Sequence, residues 1–165
     1  MAEDMGGEAR QVRYNRRLSG LKLERESFIN HWSELSDFIL PRRGRFLTTD
    51  RNSGSKKNNK IMDDTATLAV RTLTSGMMSG ITSPARPWFR LGAPITGTET
   101  SAAVKTWLDD VEELMREIFA RSNLYNVLPQ MYEELAVFGS TAMLVVEDFD
   151  HVIHCFPYTA GEYYL

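Results

Sequence analysis

VLPQMYEELAVFGSTAMLVVEDFDHVIHCF, residues 127–156, contains a switch from helix to strand that decides the fold class. Residues 127–138 read as a short helix: Pro129 is tolerated in a first helical turn, and Gly139 suits the left-handed position just past a helix end. Beyond that glycine the apolar residues come in two runs, Ala142–Val146 (AMLVV) and Val152–Phe156 (VIHCF). The polar EDFDH between them is a plausible hairpin connection. Helix followed by hairpin sets the expectation of an α+β chain, predominantly helical, with a small, mostly antiparallel sheet. The final EYYL, residues 162–165, reads as the opening of a further strand, and an unpaired apolar edge strand there points to a polypeptide that continues.

Working back toward the N-terminus, residues 100–121 form the clearest helix. Val104, Trp107, Leu108, Val111, Leu114, Met115, Ile118 and Phe119 recur at spacings of three and four, and Thr100 or Ser101 can cap the start. Asp109, Asp110, Glu112, Glu113 and Glu117 occupy its outer face, which reads as solvated rather than as paired acid–base chemistry. Before it, Trp88, Phe89 and Leu91 look like a short extended strand. Pro84 and Pro87 bar a helix interior, Gly92 and Pro94 end the strand, and Arg86 and Arg90 flank the aromatic pair in position to stack or to pair with acids. Residues 61–80 form another helix. Asp63 and Asp64 suit its positive end, and Gly76 and Gly80 imply close packing against another backbone, with Met77 and Met78 filling core.

Residues 8–40 read as one long helix that Pro41 stops. Leu18, Leu21, Phe28, Trp32, Leu35 and Ile39 share a face, and Arg16, Arg17, Lys22, Glu24, Arg25, Glu26 and Glu34 fill other positions. At 1.5 Å per residue it is on the order of 45 Å long, with a narrow apolar stripe; such a helix lies across a larger body or against a neighbouring subunit. Residues 1–12 are expected to be a flexible terminus. Between this helix and the next, residues 42–60 carry Arg42, Arg43, Arg45, Arg51, Lys56, Lys57 and Lys60 against Asp50 alone. A polar loop of this length is either solvated or a contact for DNA phosphates or an acidic partner. No aromatic residue interrupts Arg51–Lys60, which argues against base stacking.

The net charge of −3 conceals an asymmetry. Residues 1–60 hold 13 Lys and Arg against 8 Asp and Glu, and residues 61–165 hold 6 against 14, for nets of +5 and −8. The chain is therefore not a basic nucleic-acid binder overall, and any such contact belongs to the first half. There is no apolar run of membrane-spanning length, and MAEDMGGEAR is no signal peptide. The single cysteine, Cys155, cannot form an internal disulfide and sits in an apolar run, so it reads as a buried small hydrophobe in a reducing compartment. There is no phosphate-binding Gly-rich loop and no nucleophile elbow. His31, His151 and His154 with one cysteine make no zinc spacing, and His151 and His154, three apart, would point to opposite faces of a strand. No catalytic, cofactor-binding or metal residue is expected, and no cofactor.

Three stretches together carry a resemblance: FINHWSELSDFILPRRGRF (28–46), IMDDTATLAVRTLTSGMMSGITSPARPWFRLGAP (61–94) and LPQMYEELAVFGSTAMLVVED (128–148). Their order resembles the N-terminal region of podovirus-type phage portal, or head-to-tail connecting, proteins, over residues 13–165. The most specific parts are 76–90 and 139–147. The resemblance implies a structural virion protein, not an enzyme. It implies a homo-oligomeric ring, usually a dodecamer, at a capsid vertex. Such a ring is assembled in the host cytoplasm, passes double-stranded DNA during packaging and ejection, and contacts the major capsid protein, the terminase and tail adaptor proteins, with no membrane. Residues 13–165 would form a wing-like region with the basic loop 42–60, and the stem and crown would lie elsewhere in a longer chain. Competing readings are a tail adaptor or other virion connector, a nucleic-acid-binding module using the basic loop, and, for want of any candidate site, last an enzyme.

Overall fold

The computed structural model describes residues 2–41, 43, 60–92 and 101–164, with backbone alone for residues 2–8. Four helices and two strands follow in order: α1 (Ala2–Phe38), α2 (Thr65–Gly80), α3 (Ala102–Arg121), α4 (Leu124–Phe138), β1 (Ala142–Asp148) and β2 (Val152–Tyr158). The strands pair as a two-stranded antiparallel sheet, so the fold is α+β and mostly helical, as the sequence implies. The chain divides into two compact units, residues 1–67 with 158–165, and residues 68–157.

In the second unit the core lies where α3 and α4 meet the hairpin. Leu124, Val127 and Cys155 are buried, with Phe119, Leu128, Met131, Met143 and Ile153 packed around them. Ser101 caps α3 by accepting from the Val104 amide at 3.4 Å, which fixes its first turn. Gly139 ends α4 in the left-handed conformation (φ 75°) and donates its amide to the Leu135 carbonyl. A side chain there would meet open space but strained backbone, so glycine is needed for conformation alone. Helix α4 begins at Leu124, three residues ahead of the expected start, and Pro129 therefore lies inside the helix rather than in its first turn. At that entry the Ser122 hydroxyl accepts from the Leu124 amide at 3.2 Å, which satisfies one of the first free amides of the helix.

Asn123, between α3 and α4, ties the helices to the sheet. Its side-chain carbonyl accepts from the Cys155 amide at 2.8 Å, and its side-chain amide donates to the Cys155 carbonyl at 2.8 Å. One side chain thus occupies the backbone groups that a third strand would use at this point of β2. At the other end of the hairpin, Val152 opens β2 with φ 70°, a conformation costly for a β-branched residue.

In the first unit α1 begins at Ala2 rather than residue 8: Gly6 and Gly7 weaken a helix without forbidding it, and no proline precedes Pro41. Ser36, near its end, donates to the Arg43 carbonyl at 2.6 Å and the Leu40 carbonyl at 3.2 Å, folding the exit back on the helix. Asp63 accepts from the Thr65 amide at 3.0 Å and so caps α2.

Three expectations fail. Trp88–Leu91 pairs with no strand among the described residues: Pro87 lacks an amide, and the aromatic rings pack on a helix instead. Residues 162–164 are not a strand; the Arg25 side chain of α1 takes the Gly161 and Tyr163 carbonyls instead. Gly76 and Gly80 do not mark a close approach, since a side chain at either would meet open space.

Candidate interaction surfaces

Arg25 of α1 organises the C-terminal residues of the first unit. Its Nη1 donates to the Gly161 carbonyl at 2.8 Å and the Tyr163 carbonyl at 3.3 Å, and its guanidinium lies 3.9 Å from the centre of the Tyr164 ring. The planar fork satisfies two carbonyls while its face meets an aromatic ring, a combination a lysine cannot reproduce. Beside this clamp is a 520 Å³ cleft bordered by Lys22, Leu23, Glu26 and Ile29.

In the second unit the Pro-flanked aromatic segment packs across α3. Trp88 stacks on Phe119 with ring centres 6.1 Å apart, Phe89 tilts against the same ring at 5.7 Å, and Trp88 Nε1 donates to the Tyr125 hydroxyl at 3.1 Å. Arg86 does not stack. It donates to the Ser79 and Gly80 carbonyls at 3.0 and 3.1 Å and so caps α2. Glu112 leaves the solvated acidic face assigned to it: it is 7% exposed and accepts from the Leu91 amide at 3.4 Å, with Arg116 4.0 Å away. Asp109, Asp110, Glu113 and Glu117 are exposed as expected. A 460 Å³ cleft is lined by Pro84, Pro87 and Tyr125, by the cations Arg86 and Arg116 and by the acids Glu113 and Glu117. Its charges are balanced, which gives no preference for an anion or a cation.

Cys155 is fully buried and burial pushes its thiol above the ordinary 9.0, so it is packed as core rather than poised as a nucleophile. His151 lies in the exposed turn, and His154 on β2 has its Nε2 3.4 Å from the Asn123 side-chain amide. Among the described residues no group of His, Cys, Asp or Glu is arranged to hold a metal ion, and no helix is long and apolar enough to cross a membrane.

Of the seven basic residues proposed as contacts, Arg42, Arg45, Arg51, Lys56 and Lys57 lie outside the described residues. Lys60 forms an ion pair with Asp37 at the end of α1, and the Arg43 backbone binds Leu40 and Ser36. Lys60 therefore has an acidic partner within its own unit. What the sequence did not single out are the uncovered apolar positions. Val104, Trp107 and Leu114 on α3, Val12 and Leu23 on α1, and Phe149 at the hairpin tip (99% exposed) are all open. The signal was available for α3, whose apolar arc is wider than one packing partner covers.

Among the described residues, apolar positions stay uncovered on both α1 and α3. The family model described as bacteriophage head to tail connecting protein matches residues 11–165, and the chain belongs to that family. It is 54% identical over 143 residues, 87% of its length, to a probable portal protein of Bordetella phage BPP-1, and 51% identical over 158 residues, 96% of its length, to the portal protein of Salmonella phage epsilon15. Those matches cover 26% and 28% of the two relatives, so the chain spans about a quarter of their length.

Proposed function

We propose that this chain is the N-terminal, wing-like part of a portal subunit, a structural and non-catalytic virion protein. Twelve copies form a closed ring at one capsid vertex, through which double-stranded DNA is packaged and ejected. The reading rests on the family match across residues 11–165 and on two relatives named as portal proteins. Uncovered apolar positions on α1 and α3 fit a subunit that completes its packing against other copies. In this reading the ring assembles in the host cytoplasm, contacts the major capsid protein, receives the terminase during packaging and then the tail adaptors. The stem and crown belong to the remainder of the longer protein. Gold-labelled antibody against residues 1–165 tests this on virions. One label cluster per particle, at the head–tail junction, is expected, whereas label spread over the capsid or along the tail contradicts it.

The basic segment supports a narrower proposal, that Arg42, Arg43, Arg45, Arg51, Lys56, Lys57 and Lys60 contact DNA or an acidic partner. Its support is a run of seven cations against one acid. Lys60 already pairs with Asp37. Replacing the other six with Glu should lower assembly or packaging; unchanged ring yield and unchanged packaged DNA overturn the proposal.

A further inference from the structure

Two uncovered helical faces have matching chemistry. Residues 9–23 of α1 carry Arg10, Arg13, Arg16, Arg17 and Lys22 with no acid among them, and residues 9–20 are exposed throughout. Val12 and Leu23, 67% and 70% exposed, lie eleven residues apart and so on one side, with Arg16 between them and Arg13 beside them. On α3, Val104, Trp107 and Leu114 follow at spacings of three and seven and form a second open stripe, with Trp107 61% exposed. Asp110 and Glu117 border that stripe, three residues beyond Trp107 and Leu114 respectively, and both are exposed. Glu117 has a loose partner in Arg121 at 4.0 Å, a weak hold for an exposed pair.

We propose that these faces meet between copies: residues 12–23 of α1 from one copy lie on the α3 stripe of the next. The pairing rests on the ring reading above. Apolar centre would meet apolar centre, with Trp107 as the anchor, while Arg13 and Arg16 face Asp110 and Glu117 at the rim. In a ring the contact repeats head-to-tail, the α1 face of each copy on the α3 face of the next, the kind that closes when its rotation permits. The chemistry favours a second copy over DNA. Phosphates would be repelled by the carboxylates of α3 and would leave Val12 and Leu23 uncovered.

The test uses the full natural gene product and reads ring yield by size-exclusion chromatography with light scattering. Arg13→Glu with Arg16→Glu, and separately Asp110→Arg with Glu117→Arg, should each lower ring yield about tenfold or more. The four changes together should restore it. All four positions are on exposed helix faces, and far-UV circular dichroism checks that each variant folds. A second measurement is independent of yield. Leu23→Cys with Leu114→Cys should give inter-copy cross-links with a short bis-maleimide that the unsubstituted protein, whose Cys155 is buried, does not give. Rings undiminished by either reversal, losses that the combination does not restore, or absence of inter-copy cross-links in intact rings each overturn the contact while leaving the ring reading standing. If the unmodified protein forms no ring at all, the ring reading fails and this contact with it.

Discussion

Removing the Asn123 side chain should release the hairpin from the helices. Asn123 makes two 2.8 Å hydrogen bonds to the backbone of Cys155, a residue with no solvent exposure. In Asn123→Ala both partners, an amide and a carbonyl, stay buried with nothing to bind. Leaving a buried group unpaired costs about 1–3 kcal/mol, so with two such groups the substitution should destabilise the hairpin by about 2–6 kcal/mol. At about 1.4 kcal/mol per factor of ten, amide exchange in the peptide covering 152–158 should accelerate roughly 30-fold or more, up to the limit set by global unfolding. Exchange in α1 should stay unchanged. Asn123→Asp should fall between: its carboxylate still accepts from the Cys155 amide but faces the Cys155 carbonyl with no donor. An acceleration under about threefold at 152–158 in Asn123→Ala would refute the reasoning, since it would leave under 1 kcal/mol for both bonds together.

Other outcomes follow from single residues. Val152→Asn relieves a β-branched residue held at φ 70° and should raise stability by about 1 kcal/mol in urea unfolding; a loss would mean that the Val152 side chain packs more than its half-exposed position implies. Gly139→Ala places a side chain on backbone at φ 75° and should cost about 1–2 kcal/mol by the same assay, although nothing crowds the site. Arg25→Ala should expose residues 159–164 to limited proteolysis and Arg25→Lys should not restore protection; full protection in the lysine variant would show that charge alone suffices. The Cys155 thiol is held protonated by burial, so the unfolded chain loses that proton first and stability should decline as pH rises past 9.0, an effect that Cys155→Ala abolishes.

How far the sequence reaches depends on the distance between partners. Helix α3 was legible because its apolar residues repeat at helical spacing, and the hairpin because two β-rich runs flank EDFDH. Gly139 announced its own role, since a left-handed helix end calls for that residue. Residues whose partners are remote in sequence gave no such signal. Arg25 reaches carbonyls 136 and 138 positions away, and Asn123 reaches Cys155 across 32. Both look like ordinary polar residues in the chain. Trp88 and Phe89 misled because aromatic, β-prone residues beside prolines fit an extended segment equally well with or without a strand partner. Glu112 misled for a related reason: the helical period places it beside the solvated acids, while the incoming Leu91 amide and nearby Arg116 make its burial tolerable. Arg86, expected near aromatic rings, serves instead the helix end six and seven residues behind it. The basic residues of 42–60 were legible as charge alone, which names a class of partner and no geometry.

Negative-stain electron microscopy of the full natural gene product tests most directly the proposal that this chain is part of a ring-forming connector. Class averages should show closed rings with a central hole and twelvefold symmetry. A uniform population of monomers or dimers, with ring formation still absent after the capsid's scaffolding components are supplied, would contradict the account.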